Sequence, residues 1–312
     1  MSGLDQLARA MQKSIETTAD LADGMGVTVD EDIVMKTFQY SPLLQVLEGK
    51  GRTQDVNTAD VTFFVEEPTN TAAFIAEGTT LPDFGKTSYT PSTQRMKELV
   101  ESISISELAQ DGTTVVDLAE REITRAFLQV DEKQDYTLLN GTGTSSSNDF
   151  ESILKNIPSS NKSNVTGPIT EDAVDDMLIQ IIDNCGGHPD ICVTDNFVAK
   201  QLKAILAPYR RFNDKVDLGF GFRVATIESP DGQEIPIVVD KNIPTSGTGG
   251  VEHKMAFVDT SAVEVKYLHR PAVKEIPSMT LASNFVVRTH VTACNVAPYR
   301  CGLLEKITAP SP

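Results

Sequence analysis

Residues 77–94 read EGTTLPDFGKTSYTPSTQ, a stretch rich in Gly, Pro, Thr and Ser that has few side chains able to fill a core. Strand-like sequences flank it: residues 61–65, which residues 71–76 extend, and the alternating LVESISI at residues 99–105. The pattern predicts the tip of a long β-hairpin that projects from the body. Because an isolated hairpin is only marginally stable in water, a projecting one needs a neighbour to lie on. An ordinary surface hairpin is the alternative.

The N-terminal region predicts an arm. A short amphipathic helix is indicated by apolar residues at near-helical spacing, and it ends by Gly24 and Gly26. These apolar residues are Leu4, Leu7, Ala8, Met11 and Ile15. From there to Thr53 the pattern is irregular, and Ser41 and Pro42 open a short apolar stretch. We expect an extended arm with one helical turn.

The strongest helical pattern follows the predicted hairpin. Thr114 and Asp117 resemble a capping box, and an apolar stripe continues for about 25 residues. The stripe consists of Val115, Leu118, Ala119, Ile123, Ala126, Phe127 and Val130. The sequence NGTGTSSSND at residues 140–149 predicts a loop and a domain boundary after it.

The second half of the chain predicts alternating helices and strands, so the expected fold class is α+β. Helices are indicated at residues 174–182 and 195–207, and strands at residues 191–194, 222–228, 234–239, 255–258, 263–268, 273–276 and 285–293. The turn sequence SPDGQ joins residues 222–228 and 234–239 into a hairpin. Residues 242–253 predict a flexible loop.

Size and charge restrict the classes of function. A chain of 312 residues and 33.9 kDa is long enough for two lobes. Its formal charge of −17 repels polyanions and argues against tight binding of DNA. No apolar run approaches the roughly 18 to 20 residues that cross a bilayer, and the N-terminus lacks the apolar core of a signal peptide. We therefore expect a soluble protein that is neither membrane-bound nor secreted by that route.

No catalytic, cofactor-binding or metal-binding group is predicted. The four histidines are dispersed, and the phosphate-loop, dinucleotide and nucleophile-elbow motifs are absent from the sequence. Cys185 and Cys192 are seven residues apart, as are Cys294 and Cys301, whereas zinc ligands usually pair at two to four. Buried thiols are the first interpretation, with a disulfide or a zinc site as alternatives.

One compact basic and aromatic cluster stands out, at Tyr209, Arg210, Arg211 and Phe212. Tyr and Arg are enriched where proteins bind each other, so an inter-subunit contact is favoured here over contact with nucleic acid.

Three stretches carry a resemblance to a known family. Residues 72–84 (AAFIAEGTTLPDF), residues 97–112 (KELVESISISELAQDG) and the long helix ending in LNGTG at residues 139–143 resemble major capsid proteins of the Hong Kong 97 phage type. The resemblance implies six regions: an N-terminal arm (1–52), an extended loop (53–96), a peripheral domain with its spine helix (97–164), an axial domain (165–258), a return to the peripheral domain (259–290) and a return to the axial domain (291–312). It would also place both cysteine pairs in the axial domain.

The resemblance implies a shell-building protein of a tailed virus, with no enzymatic activity and no cofactor. Copies would form pentamers and hexamers of an icosahedral shell around double-stranded DNA, assembled in the host cytoplasm, with scaffolding, portal and decoration proteins as further partners. Since the predicted helix begins almost at Met1, we expect scaffolding to come from a separate protein or to be absent. An encapsulin, which is a cellular shell protein, and an enzyme with an enclosed pocket are the alternatives.

The residues expected to contact neighbouring subunits lie in the arm and the extended loop. They are Leu7 and Met11 in the arm and Phe74, Glu77, Gly78, Leu81, Phe84, Lys86 and Tyr89 in the loop. Tyr209, Arg210 and Arg211 are expected at an axial contact. Some members of the family cross-link a loop lysine to a neighbour, but no partner asparagine matches here, so Lys86 is expected to be an ordinary exposed lysine.

Overall fold

The structure is a computed structural model that describes residues 41–67, 74, 88–106, 118–144, 147–205, 216–217, 223–224, 226–277 and 282–309. The helices of this part are α1 (Pro42–Gly49), α2 (Leu118–Asn140), α3 (Glu171–Cys185) and α4 (Asn196–Ile205). The strands are β1 (Thr53–Asp55), β2 (Asp60–Glu67), β3 (Ser88–Arg95), β4 (Lys97–Ser106), β5 (Lys162–Gly167), β6 (Ile191–Thr194), β7 (Val216–Asp217), β8 (Arg223–Val224), β9 (Thr226–Glu228), β10 (Glu234–Val239), β11 (His253–Val258), β12 (Val263–Ile276), β13 (Ala282–Asn295) and β14 (Gly302–Ile307). The mixture confirms the predicted α+β class.

Two larger sheets organise these strands. One has six strands in the order β5-β14-β11-β6-β10-β9, and the other has four in the order β1-β12-β13-β4. Strands β2 and β3 form a separate hairpin, and β7 pairs with β8. The chain therefore leaves the four-stranded sheet after β4, builds most of the six-stranded sheet, returns with β12 and β13, and finally adds β14 to the six-stranded sheet.

The six-stranded sheet is buried on both faces. Met255 and Phe257 of β11 point toward α3 and α4, while Ala256 and Val258 point to the opposite face, and all four are fully buried. On the helical side, Met177 and Leu178 of α3 complete the core. A strand that is apolar on both sides is typical of the middle of a covered sheet.

A second core lies between the two sheets and contains α1. Leu43 and Leu47 of α1 are fully buried in it, together with Leu138 of α2, Val193 of β6 and Val265 of β12. Pro42 occupies the first turn of α1, where its missing N–H costs no hydrogen bond. At eight residues α1 is longer than the single helical turn that the sequence predicted.

Helix α2 crosses one face of the four-stranded sheet. Ala126 and Val130 pack on Val287 of β13, and Leu99 and Ile103 of β4 flank this contact. The apolar stripe predicted for this helix is confirmed at Ala126 and Val130, whereas its predicted start at Thr114 lies outside the described residues. Asn140 still belongs to α2, and the described residues from 141 to 149 form a loop, as expected.

The structure departs from the predicted strands in several places. Residues 88–95, assigned to the hairpin tip from the sequence, form β3 and pair with β2, whereas residues 97–106, which contain the predicted flanking strand, form β4 of the four-stranded sheet. Residues 263–276 form one strand instead of two, since register shifts on both sides of His269 accommodate Pro271, which has no backbone N–H. Strands β1, β5, β7 and β14 were not predicted. The hairpin of residues 222–228 and 234–239 is confirmed where it is described, because β9 pairs with β10 in antiparallel fashion.

Candidate assembly surfaces

The β2–β3 hairpin presents two unlike faces. Its strands pair over all eight residues of each, from Asp60 opposite Arg95 to Glu67 opposite Ser88. Because side chains alternate along a strand, Val61 and Phe63 point to one face, and Thr62 and Phe64 point to the other. Within the described residues, these strands pair with each other and with no further strand.

The first face fixes the base of the hairpin to the body. Val61 packs with Met96 and with Cys294 of β13, and all three side chains are buried. Phe63 is partly buried against the same cluster. In addition, the side-chain amide of Gln94 donates a hydrogen bond to Glu151 in the loop that follows α2. The base of the hairpin is therefore an ordered part of the subunit.

The second face leaves apolar side chains in water. Phe64 is 63% exposed and Tyr89 is 60% exposed, and Pro91, directly opposite Phe64, is exposed as well. Tyr89 is diagonal to Phe64 on the same face, since it pairs with Glu66. We call Phe64, Tyr89 and Pro91 the hairpin strip. Nearer the base, the hydroxyls of Thr62 and Thr93 lie 3.0 Å apart and hydrogen bond across the strands.

A second exposed apolar area lies on the four-stranded sheet, on the face opposite α2. Val100 of β4 is 47% exposed and Ile276 of β12 is 43% exposed. The strand between them, β13, places the partly buried Val286 on the same face, because it pairs with Ser102 and Lys274. Strand β4 is also an edge of this sheet, so its outer backbone groups lack a partner strand among the described residues. A sheet face and edge of this kind suit contact with another chain.

The junction between α2 and the two sheets is rich in carboxylates. Asp135 of α2 and Asp240, the residue after β10, are fully buried. One turn earlier on α2, burial and the nearby charge of Glu48 raise the pKa of Asp131 to about 6. Burial also raises the pKa of Glu48, against the opposing effect of Arg270. Asp135 and Asp240 therefore lie inside the subunit, whereas Asp131 is partly buried and Glu48 is exposed.

The histidines form structural pairs. His253 bonds Asp195, the residue that caps α4 through the backbone N–H of Val198, and Phe197 stacks on the imidazole at 4.1 Å between ring centroids. His188 bonds Asp231 at 2.8 Å on the surface. No serine, threonine or cysteine is hydrogen bonded to either ring among the described residues, so neither pair is arranged as the base of a nucleophile.

The described cysteines are buried free thiols, as the first interpretation of the sequence had it. Burial raises the pKa of Cys192, and it raises that of Cys294 and of Cys301 to about 11. Protonated thiols are poor metal ligands and poor nucleophiles. Cys294 lies in β13 of the four-stranded sheet, whereas Cys192 lies in the six-stranded one. Within the described ranges, no group of three or more His, Cys, Asp or Glu could hold a metal ion.

An open groove of about 410 Å³ runs between β5 and the start of α3. Its lining includes Ser163, Asn164, Thr170, Asp176 and Gln180. It has none of the enclosure that active sites use to exclude water, and the only carboxylate among its lining residues is Asp176. The groove gives no support to the enzyme alternative.

Two of the predicted contact residues can be located. Phe74 is fully exposed and Tyr89 is 60% exposed, and their contact with a neighbouring subunit stays a prediction. Leu7, Met11, Glu77, Gly78, Leu81, Phe84, Lys86, Tyr209, Arg210 and Arg211 lie outside the described residues. The sequence reasoning missed Phe64, Val100 and Ile276. The signal was available for Phe64, since in the pair Phe63–Phe64 one ring of a strand must point away from the core.

Comparison with solved structures identifies the fold. The chain is similar to the capsid of cyanophage A-1(L), with 11% identity, a TM-score of 0.70, and coverage of 95% of this chain and 99% of that chain. It is similar to a chain of Mycobacterium phage Bobi, with 13% identity, a TM-score of 0.64, and coverage of 95% and 99%. The encapsulin SrpI of Synechococcus elongatus PCC 7942 matches with 11% identity, a TM-score of 0.61, and coverage of 93% and 95%. The fold is therefore the Hong Kong 97-type fold of shell proteins.

The family is given by sequence. The model of the SU10 major capsid protein family matches residues 11–308, so the chain belongs to that family. It is a major capsid protein, a structural protein that forms a virus shell. No curated protein is significantly similar to it in sequence. None of the described helices is long and apolar enough to span a membrane.

Proposed function

We propose that copies of this capsid protein are joined chiefly by the hairpin, whose strip lies on a neighbouring copy. The observation that carries the proposal is the contrast between the two hairpin faces: Val61 is buried in its own subunit, while Phe64 and Tyr89 remain more than half exposed. Burying an aromatic side chain stabilises by about 1.5 to 3 kcal/mol, so each exposed ring can contribute this much binding free energy when a neighbouring copy covers it. The exposed face of the four-stranded sheet, with Val100 and Ile276, is a surface of matching character on the next copy.

The regions implied by the family are part of the proposal. The extended loop is residues 53–96, the peripheral domain residues 97–164 and 259–290, and the axial domain residues 165–258 and 291–312. The pairing of β13 with β4, of β12 with β13, and of β14 with β11 supports these two returns of the chain. Because residues 42–49 pack inside their own subunit, we assign the reaching contacts of the 1–52 arm to residues 1–40, including Leu7 and Met11.

The proposed shell is icosahedral, built from pentamers and hexamers, and encloses double-stranded DNA. A formal charge of −17 supports DNA that is confined without being tightly bound, because tight binding would require clusters of cations that release counterions from DNA. Tyr209, Arg210 and Arg211 are proposed as a contact near the capsomer axis. Assembly in the host cytoplasm, with scaffolding, portal and decoration proteins as partners, completes the proposal.

Encapsulin remains the second candidate, since one solved encapsulin shares the fold at a TM-score of 0.61. The match to the SU10 major capsid protein family favours the viral function. The genes beside this one distinguish the two: terminase and portal genes support the virus, and a cargo enzyme gene supports encapsulin.

Electron microscopy and sedimentation of the purified chain test the proposal. The double variant Phe64→Ser, Tyr89→Ser should form at least about tenfold fewer shells or capsomers, as expected when more than 1.4 kcal/mol is lost at each contact. Thr93→Ala is the matched control, since it changes the same face near the base without removing an exposed ring. Wild-type assembly by the double variant would contradict the proposed role of the hairpin strip.

A further inference from the structure

Two buried carboxylates meet where α2 passes the end of β10. Asp135 accepts hydrogen bonds on both oxygens: the backbone N–H of Leu44 donates to Oδ1 and the side-chain amide of Asn242 donates to Oδ2, each at 2.9 Å. Asp240 accepts one, from the backbone N–H of Asn242 to Oδ1 at 2.8 Å. Its other oxygen, Oδ2, is buried and receives no hydrogen bond from any donor. The neighbour of the Asp240 side chain is the Asp135 carboxylate itself.

This arrangement requires a proton. Two ionised carboxylates in contact repel each other, and a buried charged oxygen without a donor is costly. Since both oxygens of Asp135 already accept N–H groups, it serves as the ionised acceptor. A proton on Oδ2 of Asp240 would remove one of the two charges and make this buried oxygen a donor toward Asp135. In agreement, burial, followed by the hydrogen bond and charge of Asp135, raises the pKa of Asp240 to about 8.

The surrounding charges do not neutralise the pair. Lys241 is the cation that lowers the pKa of Asp240, and its ammonium group is engaged with Glu132 of α2. Asp131 of α2 and Glu48 of α1 form a separate group of acids, in which Glu48 raises the pKa of Asp131 and Arg270 of β12 acts on Glu48. Tyr267 of β12 lies in the same group, and burial raises its pKa.

The pair connects three parts of the subunit. Through Leu44 it holds the first turn of α1, and through Asn242 it holds the loop after β10. The backbone N–H of Asp240 donates to Thr194 at the end of β6, at 2.7 Å, which anchors this residue to the six-stranded sheet. The side chain of Asn140, the last residue of α2, also bonds the carbonyl of Asn242. A change at the pair is thus a change in how α2 and α1 sit on the sheet.

We infer that Asp135 and Asp240 form a proton-dependent latch, which holds the long helix to the six-stranded sheet while they share one proton and weakens when that proton leaves. The pKa of Asp240 is raised above its ordinary value of 3.8, so the latch contributes its full stability below about pH 4 and loses it as the pH rises through about 8. The inference concerns the single subunit and does not depend on how copies assemble.

Thermal unfolding of the full-length chain between pH 6.5 and pH 9.5 tests the latch. We expect the wild-type Tm to fall by about 5 °C or more over this range, and that of Asp240→Asn to fall by less than half as much. Asparagine reproduces the protonated form, since its amide donates to Asp135 and its carbonyl accepts from Asn242. Glu234→Gln, an exposed substitution on β10, is the matched control and should follow the wild type.

A second variant separates the two roles. Asp135→Asn places an N–H group against a donor, either Leu44 or Asn242, and should lower the Tm already at pH 6.5. An equal fall for Asp240→Asn and the wild type between pH 6.5 and pH 9.5 would overturn the latch, as would an Asp135→Asn variant as stable as the wild type at pH 6.5.

Hydrogen exchange of the wild-type chain provides a test that needs no variant. After correction for the intrinsic rate, peptides containing Leu44 or residues 240–242 should lose protection between pH 6.5 and pH 9.5 by at least about tenfold more than a peptide from β11. Equal loss of protection in all of these peptides would overturn the inference.

Discussion

The six-stranded sheet and the β2–β3 hairpin use similar strands in opposite ways. In the sheet, consecutive residues of β11 are fully buried, from Met255 to Val258, because helices cover one face and a second core covers the other. In the hairpin, the two faces of β2 differ: Val61 on one face is buried, whereas Phe64 on the other face is exposed to water. The sheet buries the apolar side chains of both its faces within one chain, whereas the hairpin buries those of only one face.

If the hairpin strip is an assembly contact, as proposed, then stability and assembly depend on different parts of this capsid protein. Burial inside the sheets stabilises the subunit whether or not it meets another copy. Apolar area on the hairpin strip contributes nothing to the lone subunit and contributes fully once a neighbour covers it. Substitutions in the two regions should therefore have separate effects, and the following four experiments measure them.

The largest effect is expected from shortening the hairpin. Replacing Phe64–Pro91 by Asn-Gly would join Phe63 to Ser92, which already pair, through a two-residue turn. We expect assembly to be abolished in sedimentation and electron microscopy, while the free energy of unfolding stays within about 1 kcal/mol of the wild type because the base contact of Val61 is kept. Shells formed at wild-type yield would remove the distinction between the two regions.

Within the sheet, Phe257→Ala should cost about 3 to 5 kcal/mol of unfolding free energy, because it empties a fully buried position in a central strand. Chemical denaturation of the unassembled chain measures this loss. Val251→Ala, at a loop residue that is 57% exposed, is the control and should change stability by less than about 0.5 kcal/mol. A loss below about 1 kcal/mol for Phe257→Ala would show that this core is looser than the structure indicates.

A smaller effect is expected at Gly302 of β14, where helix α3 packs directly on the strand. A Cβ atom there would lie 2.5 Å from Cδ1 of Ile181 and 2.8 Å from Sδ of Met177. Gly302→Ala should destabilise the subunit by about 1 to 3 kcal/mol, measured by denaturation, and Ile181→Val in the same chain should restore part of the loss. Gly167→Ala, whose nearest neighbour would be 3.9 Å away, provides the control. Equal stability of Gly302→Ala and Gly167→Ala would contradict the tight contact at Gly302.

The smallest effect is expected at Asp131, between the two sheets. Its pKa is raised from 3.8 to about 6, so the protein loses stability as the pH rises through 6. The side chain of Asp131→Asn does not titrate. At pH 7.5 the free energy of unfolding of this variant should exceed that of the wild type by less than about 1 kcal/mol, since solvent screens this half-buried group, and at pH 4 the two should be equal. Denaturation at both pH values gives the difference. The control variant Glu228→Gln, at an exposed position, should not be more stable than the wild type at pH 7.5. An equal gain in stability of Asp131→Asn at both pH values would refute the raised pKa of Asp131.

Local sequence signals predicted the long helix, strands β2 and β4 and most strands of the second half, because each depends on alternation or on the spacing of its own apolar residues. They did not predict β3, which the sequence assigned to the tip of the hairpin. Strand β5, with the sequence KSNVTG, carries no such signal. It is a strand because β14 supplies its hydrogen-bond partners, from Leu303 to Ile307, more than a hundred residues later in the chain. The local sequence of β5 does not indicate that β14 will pair with it.

The acid pair was also beyond sequence reasoning. Asp135 lies on a helix where an acidic residue is ordinarily solvated, and Asp240 follows a strand at a typical loop position. Their burial arises only when α1 and β10 pack on α2, a tertiary event with no local signature. The hairpin, by contrast, was predictable as a shape, and its exposed face followed from strand alternation once its register was known.

The position of β14 has a consequence for synthesis of the chain. This strand lies between β5 and β11, so β5 has no place in the sheet until residues 302–307 have left the ribosome. Forming such distant contacts late makes folding slow and dependent on almost the whole chain. A nascent capsid subunit therefore has no finished sheet to present to its neighbours until residues 302–307 have been translated, which delays its association with other copies.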